Sequence, residues 1–342
     1  MMTKRSSEIG LAELDNEPLN LLQKIERGLL SRPLFGPTAV LIIAVIAFSL
    51  LTPKFGNLQN FSLILQQVQI IAMLGIAQTL IILTAGIDLS VAAVMLLAQV
   101  AMGKFAVNMG LPVWLSLLLG VVVGIAAGAV NGLVVTQLNI PPFIATLGTL
   151  SIFYALNIFI SDGQSVPYAD VPELLNWLGT GFPVFGATFT FGQVLTVLMF
   201  LIVGYLLRYT AWGYQVYAVG DNLQAARLAG IRVNRVLMSV YVFSGLIVGI
   251  AGWLLIGRIG SISPTAGAEY NLASITAVVI GGTSLFGGRG RILGTLIGAL
   301  IVGVFSSGLS LAGFDNLWQE FTIGLLIIGA VAVDQRLRKV SR

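Results

Sequence analysis

The stretch PVWLSLLLGVVVGIAAGAVNGLVVTQ, residues 112–137, decides the class of fold, because it contains no charged side chain. About 20 mainly apolar residues are enough for a helix to cross a bilayer, so this stretch predicts a membrane-spanning helix. Four of its glycines fall at every fourth position and therefore share one helix face: Gly120, Gly124, Gly128 and Gly132. Such a face lets a neighbouring backbone approach closely, so we interpret these glycines as helix-packing positions and not as a ligand site.

The whole chain of 342 residues has the same character. Hydrophobic residues make up 57% of it and charged residues 9%, and its mean hydropathy is +0.96. Because a soluble domain is about 25% charged, this composition excludes a water-soluble globular enzyme. It predicts an all-α, polytopic membrane protein. The chain has no cysteine and no histidine, so we expect no catalytic residue, no metal site and no cofactor.

Ten segments are apolar enough to be candidate spans. They cover residues 34–52, 61–84, 90–108, 112–137, 141–160, 189–207, 236–256, 271–286, 292–312 and 317–334. Residues 1–33 are then an N-terminal tail, residues 34–335 the transmembrane domain and residues 336–342 a C-terminal tail. The first tail resembles a cytosolic segment before a signal-anchor helix and not a cleaved leader. Its apolar residues at helical spacing leave open either a short interfacial helix or a disordered segment.

The distribution of Lys and Arg indicates the orientation of these spans. With the N-terminus inside, the inner segments hold 15 of the 18 basic residues and the outer segments hold 3. This asymmetry follows the positive-inside rule, so we expect ten spans with both termini in the cytoplasm. The net charge of +4 has the same origin, which makes membrane lipid an expected partner and nucleic acid an unexpected one.

Two long polar excursions fall on opposite sides of the membrane. The outer one, residues 161–188, contains three acidic residues and no Lys or Arg, whereas the inner one, residues 208–235, contains four arginines. Within the inner excursion the sequence predicts a short helix, with Asp221 or Asn222 as its N-cap and Gly230 as its stop signal. Its small residues would let it lie in a cleft of another protein, although the arginines around it could bind anionic lipid instead.

Asp88 is the most conspicuous charge near the bilayer. A carboxylate at the centre of a span costs about 2.5–3.5 kcal/mol, so its presence requires a reason. Asp88 and Ser90 lie where a new helix would begin, and an aspartate there can cap free backbone N–H groups. The alternative is that Asp88 lines a polar route through the membrane, and the two roles are compatible.

A faint internal similarity links residues 84–90 with residues 281–287. Each stretch directly follows an apolar run. In the expected topology, that run is a span that crosses from the outside to the cytoplasm, so each stretch lies at its cytoplasmic end. Two parallel copies of a helical unit, a two-fold internal repeat, would place a route for a solute between them, with chance similarity as the alternative. The candidate path residues are the polar side chains of these stretches: Asp88, Ser90, Thr283 and Ser284.

No nucleotide-hydrolysing motif is present in the sequence. The Gly103-Lys104 pair is followed by Phe105, so the phosphate-binding loop that ends in Gly-Lys-Ser/Thr is missing. The glycine-rich residues 281–294 lack the strand-and-helix context of such a loop. A Gly-x-Ser-x-Gly nucleophile elbow is also missing, so we expect the chain to hydrolyse no ATP by itself.

Three stretches carry a resemblance to a known family. They are ILTAGIDLS at residues 82–90, SPTAG at residues 263–267 and AVVIGGTSLFGGRGRILGTLIGA at residues 277–299. They resemble, in order and spacing, the signatures of the permease subunits of ribose-type bacterial sugar importers of the ATP-binding-cassette (ABC) class. The similarity covers residues 35 to 335 approximately. The family usually has GGIDLSVG, where Ala85 and Ala92 stand in this chain.

The resemblance implies a permease in the bacterial inner membrane that moves a sugar or polyol by alternating access. It implies as partners two cytoplasmic ABC ATPase subunits, a periplasmic sugar-binding protein and a second permease copy, identical or similar. It also places an ATPase-coupling loop at residues 225–230, and it leaves the particular solute open. The expected coupling residues are Asp221, Ala225, Ala226, Arg227 and Gly230.

Two rival functions stay open beside this one. An ion-driven secondary carrier usually needs paired ionisable groups within the membrane, and Asp88 is the one clear candidate here. An ABC permease for branched-chain amino acids is a more distant relative of the sugar permeases. An intramembrane enzyme is disfavoured, because the spans contain no histidine, no cysteine and no paired carboxylates.

Overall fold

The computed structural model describes residues 34–340. The N-terminal tail, for which the sequence leaves open an interfacial helix or a disordered segment, lies outside the described residues. The described chain folds into thirteen α-helices and one β-hairpin. In chain order these elements are α1 (Phe35–Leu51), α2 (Leu58–Leu83), α3 (Val91–Gly103), α4 (Val113–Gln137), α5 (Pro142–Ser161), α6 (Glu173–Asn176), β1 (Gly181–Val184), β2 (Ala187–Thr190), α7 (Phe191–Tyr209), α8 (Ala211–Asp221), α9 (Leu223–Leu228), α10 (Val233–Ile259), α11 (Tyr270–Ile280), α12 (Ile292–Leu311) and α13 (Asn316–Val340).

Seven helices in the described residues are long and apolar enough to cross a membrane. They are α2, α3 with its π-helical extension Lys104–Asn108, α4, α5, α7, α10 and α12. Shorter apolar helices occupy the three remaining candidate spans, at Phe35–Leu51, Tyr270–Ile280 and Leu317–Ala332. The all-α, polytopic class is thereby confirmed, whereas the number of ten spans stays a prediction.

Several helices differ in their bounds from the predicted spans. The expectation of a helix through residue 286 is wrong, because α11 ends at Ile280 and Gly282 adopts a left-handed φ of +85°. Helix α2 begins three residues earlier than predicted, because the side chain of Asn57 accepts hydrogen bonds from the N–H groups of Gln59 and Asn60. Helix α13 continues to Val340, beyond the predicted end at residue 334.

The glycine stripe of α4 lies against α10. A Cβ atom on Gly128 would collide with the carbonyl oxygen of Tyr241, and one on Gly124 would lie 2.6 Å from the carbonyl oxygen of Gly245. Gly120 faces Met102 of α3, and Gly132 faces Met238 of α10. The two backbones are therefore in direct contact along the middle of both helices, as small residues permit when helices pack in lipid.

Helix α3 lies at the centre of the bundle, with all thirteen of its residues buried. It packs against α4, α5 and α10, while α2 packs against α10, α11 and α12. The connecting loops collect at two ends. At one end, the loop after α11 meets the end of α2, where the N–H of Gly288 donates to the carbonyl of Leu83 at 3.0 Å. We call this end of the bundle the basic end, because several arginines are exposed there. These are Arg208, Arg227, Arg232, Arg235, Arg289 and Arg291.

The polar excursion at the opposite end is a folded element and not a plain connector. It contains α6 and the hairpin β1–β2, which the sequence did not predict. The carbonyl of Thr188 in β2 accepts from Ser62 and Gln66 of α2, which fixes the hairpin against the bundle. Trp177 stacks on Phe191 with ring centroids 4.6 Å apart, so the excursion is also tied to the start of α7.

We expect Gly128→Val to destabilise the protein, because the added side chain must push α4 away from the carbonyl oxygen of Tyr241. Overpacking of this kind costs about 1–3 kcal/mol. The control is Ala126→Val, which makes a similar change on the exposed face of the same helix. Thermal unfolding of the purified protein in detergent should show a lower midpoint for the first variant alone. Equal midpoints for the two variants would contradict the packing described.

Candidate functional site

Residues 84–90 join α2 to α3 and fold back into the bundle. The side chain of Gln78 donates to the backbone carbonyl of Asp88, although Gln78 lies five residues before the end of α2. At 1.5 Å per residue, the loop therefore reaches back by about 8 Å along α2. Irregular backbone at such a depth is tolerated where protein groups satisfy its hydrogen bonds.

The carboxylate of Asp88 is the centre of a buried hydrogen-bond network, with 4% of the residue exposed. Its Oδ1 accepts from the N–H of Ser90 at 2.7 Å and from the hydroxyl of Ser90 at 2.6 Å. Its Oδ2 accepts from Nδ2 of Asn131 in α4 at 3.3 Å. Ser90 is the N-cap residue of α3, so the carboxylate holds the turn from which the central helix begins.

The same network reaches two further helices. Asn131 also donates to the hydroxyl of Ser90 at 2.8 Å and accepts from the hydroxyl of Thr149 in α5 at 2.6 Å. All of these residues are buried. A chain of hydrogen bonds thus ties the start of α3 to α4 and α5, and in a low-dielectric interior each link is expensive to break.

Buried carboxamides satisfy the backbone at both ends of α3. At the Asp88 end, Asn271 of α11 donates to the carbonyl of Leu89 at 2.6 Å. At the other end, Gln99 of α3 donates to the carbonyl of Ser263, and Asn157 of α5 donates to that of Pro264 at 2.6 Å. The sequence did not predict these contacts, although Gln99 and Asn157 are isolated amides inside apolar runs.

The predicted path residues do not all belong to one hydrogen-bond network. Asp88 and Ser90 lie in the network, whereas Thr283 and Ser284 are not among the hydrogen-bond partners of the Asp88 carboxylate. Thr283 is buried next to Gly290, and the N–H of Ser284 donates to the carbonyl of Arg289 at 2.9 Å. These two residues therefore close the turn of their own glycine-rich loop.

The glycine-rich loop packs against α8 and against the end of α2. A Cβ atom on Gly220 would lie 2.7 Å from the backbone nitrogen of Gly288 and would collide with the carbonyl oxygen of Leu83. The phenol of Tyr217 donates to the carbonyl of Gly290 at 2.9 Å. Burial raises the pKa of Tyr217 although the nearby Arg291 lowers it, so this phenol keeps its proton and its role as donor.

Helix α9 forms an exposed ridge at the basic end. Asn222 is its N-cap and accepts from the N–H groups of Gln224 and Ala225 at 3.0 and 2.9 Å. Of the two caps that the sequence left open, the structure therefore has Asn222, and Asp221 ends α8. Gly230, with φ +83° and open space around it, follows the helix.

The side chains of α9 divide into an anchoring face and an outward face. Ala226 is buried, whereas Ala225 and Arg227 are exposed and Leu228 is 92% exposed. The five predicted coupling residues thus fall together on one surface, with Ala226 as its anchor.

The described residues hold no group of three or more His, Cys, Asp or Glu side chains that could bind a metal ion. Several polar side chains of the described interior donate hydrogen bonds to the backbone of the loops beside α3. These features define a polytopic helical membrane protein.

Comparison with known proteins identifies the family. The family model described as branched-chain amino acid transport system / permease component matches residues 60–331. The chain therefore belongs to this permease family, and the resemblance carried by its three sequence signatures is confirmed.

Three relatives illustrate the range of the family. The fructose import permease protein of Rhizobium meliloti is 50% identical over 98% of this chain and 94% of that protein. The ribose import permease protein of Bacillus subtilis (strain 168) is 40% identical over 88% of this chain and 92% of its own. The autoinducer 2 import system permease protein of Yersinia enterocolitica is 34% identical over 89% of this chain and 83% of that protein. No solved structure matches the chain.

We expect Asn131→Leu to destabilise the bundle, because it removes a partner from both the Asp88 carboxylate and the Thr149 hydroxyl. A buried polar group left without its partner costs about 1–3 kcal/mol. The control is Gln137→Leu, at the exposed end of the same helix. Midpoints of thermal unfolding in detergent measure the difference, and an unchanged midpoint for Asn131→Leu would show that the network contributes no stability.

Proposed function

We propose that this chain is the transmembrane subunit of an ABC importer that carries a sugar or polyol across the bacterial inner membrane by alternating access. The observation that carries the proposal is the 50% identity to a fructose import permease over 98% of the chain. ATP hydrolysis belongs to separate ATPase subunits, and the chain itself is not an enzyme. Specificity for the solute is expected mainly from a periplasmic binding protein.

The α9 ridge is the proposed contact with the ATPase subunits. The ridge is short, capped at both ends and anchored by the buried Ala226. It can therefore move as a rigid unit when an ATPase subunit displaces it. Its outward side chains, Ala225, Arg227 and Leu228, are free to enter a cleft of a partner. The backbone contact of Gly220 with Leu83 then links this ridge to the loop that carries Asp88.

Ten spans with both termini in the cytoplasm remain the proposed topology. A helix lies at each of the ten candidate spans, although three of the helices are shorter than the others. The basic end is then the cytoplasmic end, where ATPases dock, and the folded excursion with its hairpin faces the periplasm, where a binding protein docks. Two such chains would enclose the solute route.

The helix packing supports an internal repeat of opposite orientation. Helix α3 packs against α4, α5 and α10, and in the same pattern α11 packs against α12, α13 and α2. Because α2 ends at the basic end and α10 begins there, the copies α2–α5 and α10–α13 run in opposite directions. In this inverted repeat, the loop at residues 84–90 is equivalent to the loop at residues 260–269. The sequence similarity suggested a parallel repeat instead, with residues 84–90 equivalent to residues 281–287.

A permease for branched-chain amino acids is the second candidate, because the family description names that substrate class. Uptake measurements discriminate the two candidates directly. Cells that supply the native ATPase and binding protein should accumulate labelled fructose or ribose and not labelled leucine. Accumulation of leucine alone would overturn the sugar assignment while leaving the ABC permease class intact.

Arg227→Glu and Gly230→Val should abolish ATP-dependent uptake. The first inverts the charge of the exposed ridge, and the second strains a residue whose φ is +83°. Uptake of the labelled sugar in the same cells is the measurement, with the membrane level of each variant checked by immunoblotting. The control is Lys54→Glu, an inverted charge at the opposite end. Normal uptake by the ridge variants would defeat the coupling role.

The absence of cysteine allows a direct test of orientation, since the parent chain gives no thiol signal. Phe185→Cys at the tip of the hairpin should react with a membrane-impermeant maleimide in intact spheroplasts. Gln224→Cys on α9 should react only after the spheroplasts are lysed, because it is exposed at the basic end. The reverse pattern of labelling would refute the proposed topology.

A further inference from the structure

Helix α7 presents an apolar stripe to its surroundings over most of its length. Its exposed residues recur at helical spacing: Val194, Val197, Leu198, Leu201 and Ile202. From Val194 to Tyr205 the stripe extends about 16 Å along the axis, at 1.5 Å per residue. A stripe of this length and composition on the outside of a membrane bundle faces lipid acyl chains.

The stripe ends in a cluster of aromatic and cationic side chains. Tyr205 and Tyr209 are both exposed, with ring centroids 5.5 Å apart, and the guanidinium of Arg208 lies 5.3 Å from the centroid of the Tyr209 ring. Tyr214 of α8 is also exposed. Tyrosine and arginine at the end of a spanning helix are typical of the level of the lipid headgroups.

A second arginine lies beside this cluster. Gly204 of α7 packs against Ile292, since a Cβ atom there would lie 3.3 Å from Cγ2 of Ile292. Arg208 is one turn beyond Gly204, and Arg291 directly precedes Ile292, so both arginines lie at the edge where α7 meets the start of α12. Both are exposed, and neither takes part in an ion pair with residues 34–315 or 317–332.

The described loops at the basic end contain few acidic groups. The loops at the basic end, residues 84–90, 208–232 and 281–291, contain two acidic residues, Asp88 and Asp221. Asp88 is buried in its own network, and Asp221 ends α8 at the far side of that helix from Arg208. The edge between α7 and α12 therefore presents two cations next to an apolar stripe, which is the complement of an anionic amphiphile.

We propose that this edge binds an anionic phospholipid of the adjoining leaflet. Its phosphate lies between the guanidiniums of Arg208 and Arg291, and its acyl chains lie along the apolar stripe of α7. The three tyrosines flank the headgroup. The charge of the two arginines selects an anionic lipid over a zwitterionic one, and the stripe selects a lipid over a soluble anion. The inference does not depend on which solute the protein carries.

The test measures lipid binding to the purified full chain in a neutral detergent. Phosphatidylglycerol and phosphatidylcholine with identical acyl chains are added, and bound lipid is counted by native mass spectrometry while the unfolding midpoint is recorded. Phosphatidylglycerol should bind and raise the midpoint, and phosphatidylcholine should do so much less. Arg208→Gln with Arg291→Gln should weaken phosphatidylglycerol binding about 25-fold, about fivefold for each arginine.

The controls separate this site from general charge and from free phosphate. Lys54→Gln with Arg258→Gln removes the same charge from the opposite end and should leave phosphatidylglycerol binding unchanged. Arg208→Lys should bind phosphatidylglycerol more tightly than Arg208→Gln, because lysine keeps the positive charge. Inorganic phosphate should leave the midpoint unchanged. Equal binding of both lipids, retained binding in the double arginine variant, or an equal loss in the control variant would each overturn the proposal.

Discussion

Every backbone N–H and C=O group at membrane depth must find a partner inside the protein, and this constraint organises the whole bundle. The helical hydrogen-bond ladder is interrupted on both sides of the central helix α3, at residues 84–90 and at residues 260–269. Both breaks lie beside α3, and side-chain amides from neighbouring helices satisfy their carbonyl groups. The central helix can be short and wholly buried because the loops at its two ends are held in this way.

The second requirement is close approach of the helices that surround α3. Lipid tails offer no hydrophobic drive for helix association, so van der Waals contact must supply it. The glycines of α4 and α10 meet backbone to backbone, and this contact brings Asn131 within reach of Ser90 and Asp88. The glycine stripe and the polar network are therefore parts of one arrangement, in which a bulky residue in the stripe would also loosen the network.

The sequence predicts the features that depend on local pattern. Apolar runs locate a helix at every candidate span, and the turn from Asn222 to Gly230 follows from the capping preferences of those residues. It does not predict that α11 stops at Ile280 or that a hairpin forms at residues 181–190. The sequence also does not predict the hydrogen-bond partners of Gln78 and Asn271, because these contacts depend on how segments distant along the chain pack together.

Backbone contacts connect the surface of α9 to the interior of the bundle. Gly220, at the end of α8, has no room for a side chain, because its backbone lies against Leu83 and Gly288. Leu83 is the last residue of α2 and precedes Asp88 by five positions. Packed interiors transmit displacement with little compression, so a shift of the α8–α9 segment must move either the end of α2 or the glycine-rich loop. The first movement would act on the loop that starts α3, and the hydrogen bonds of Asp88 would carry it to α4 and α5.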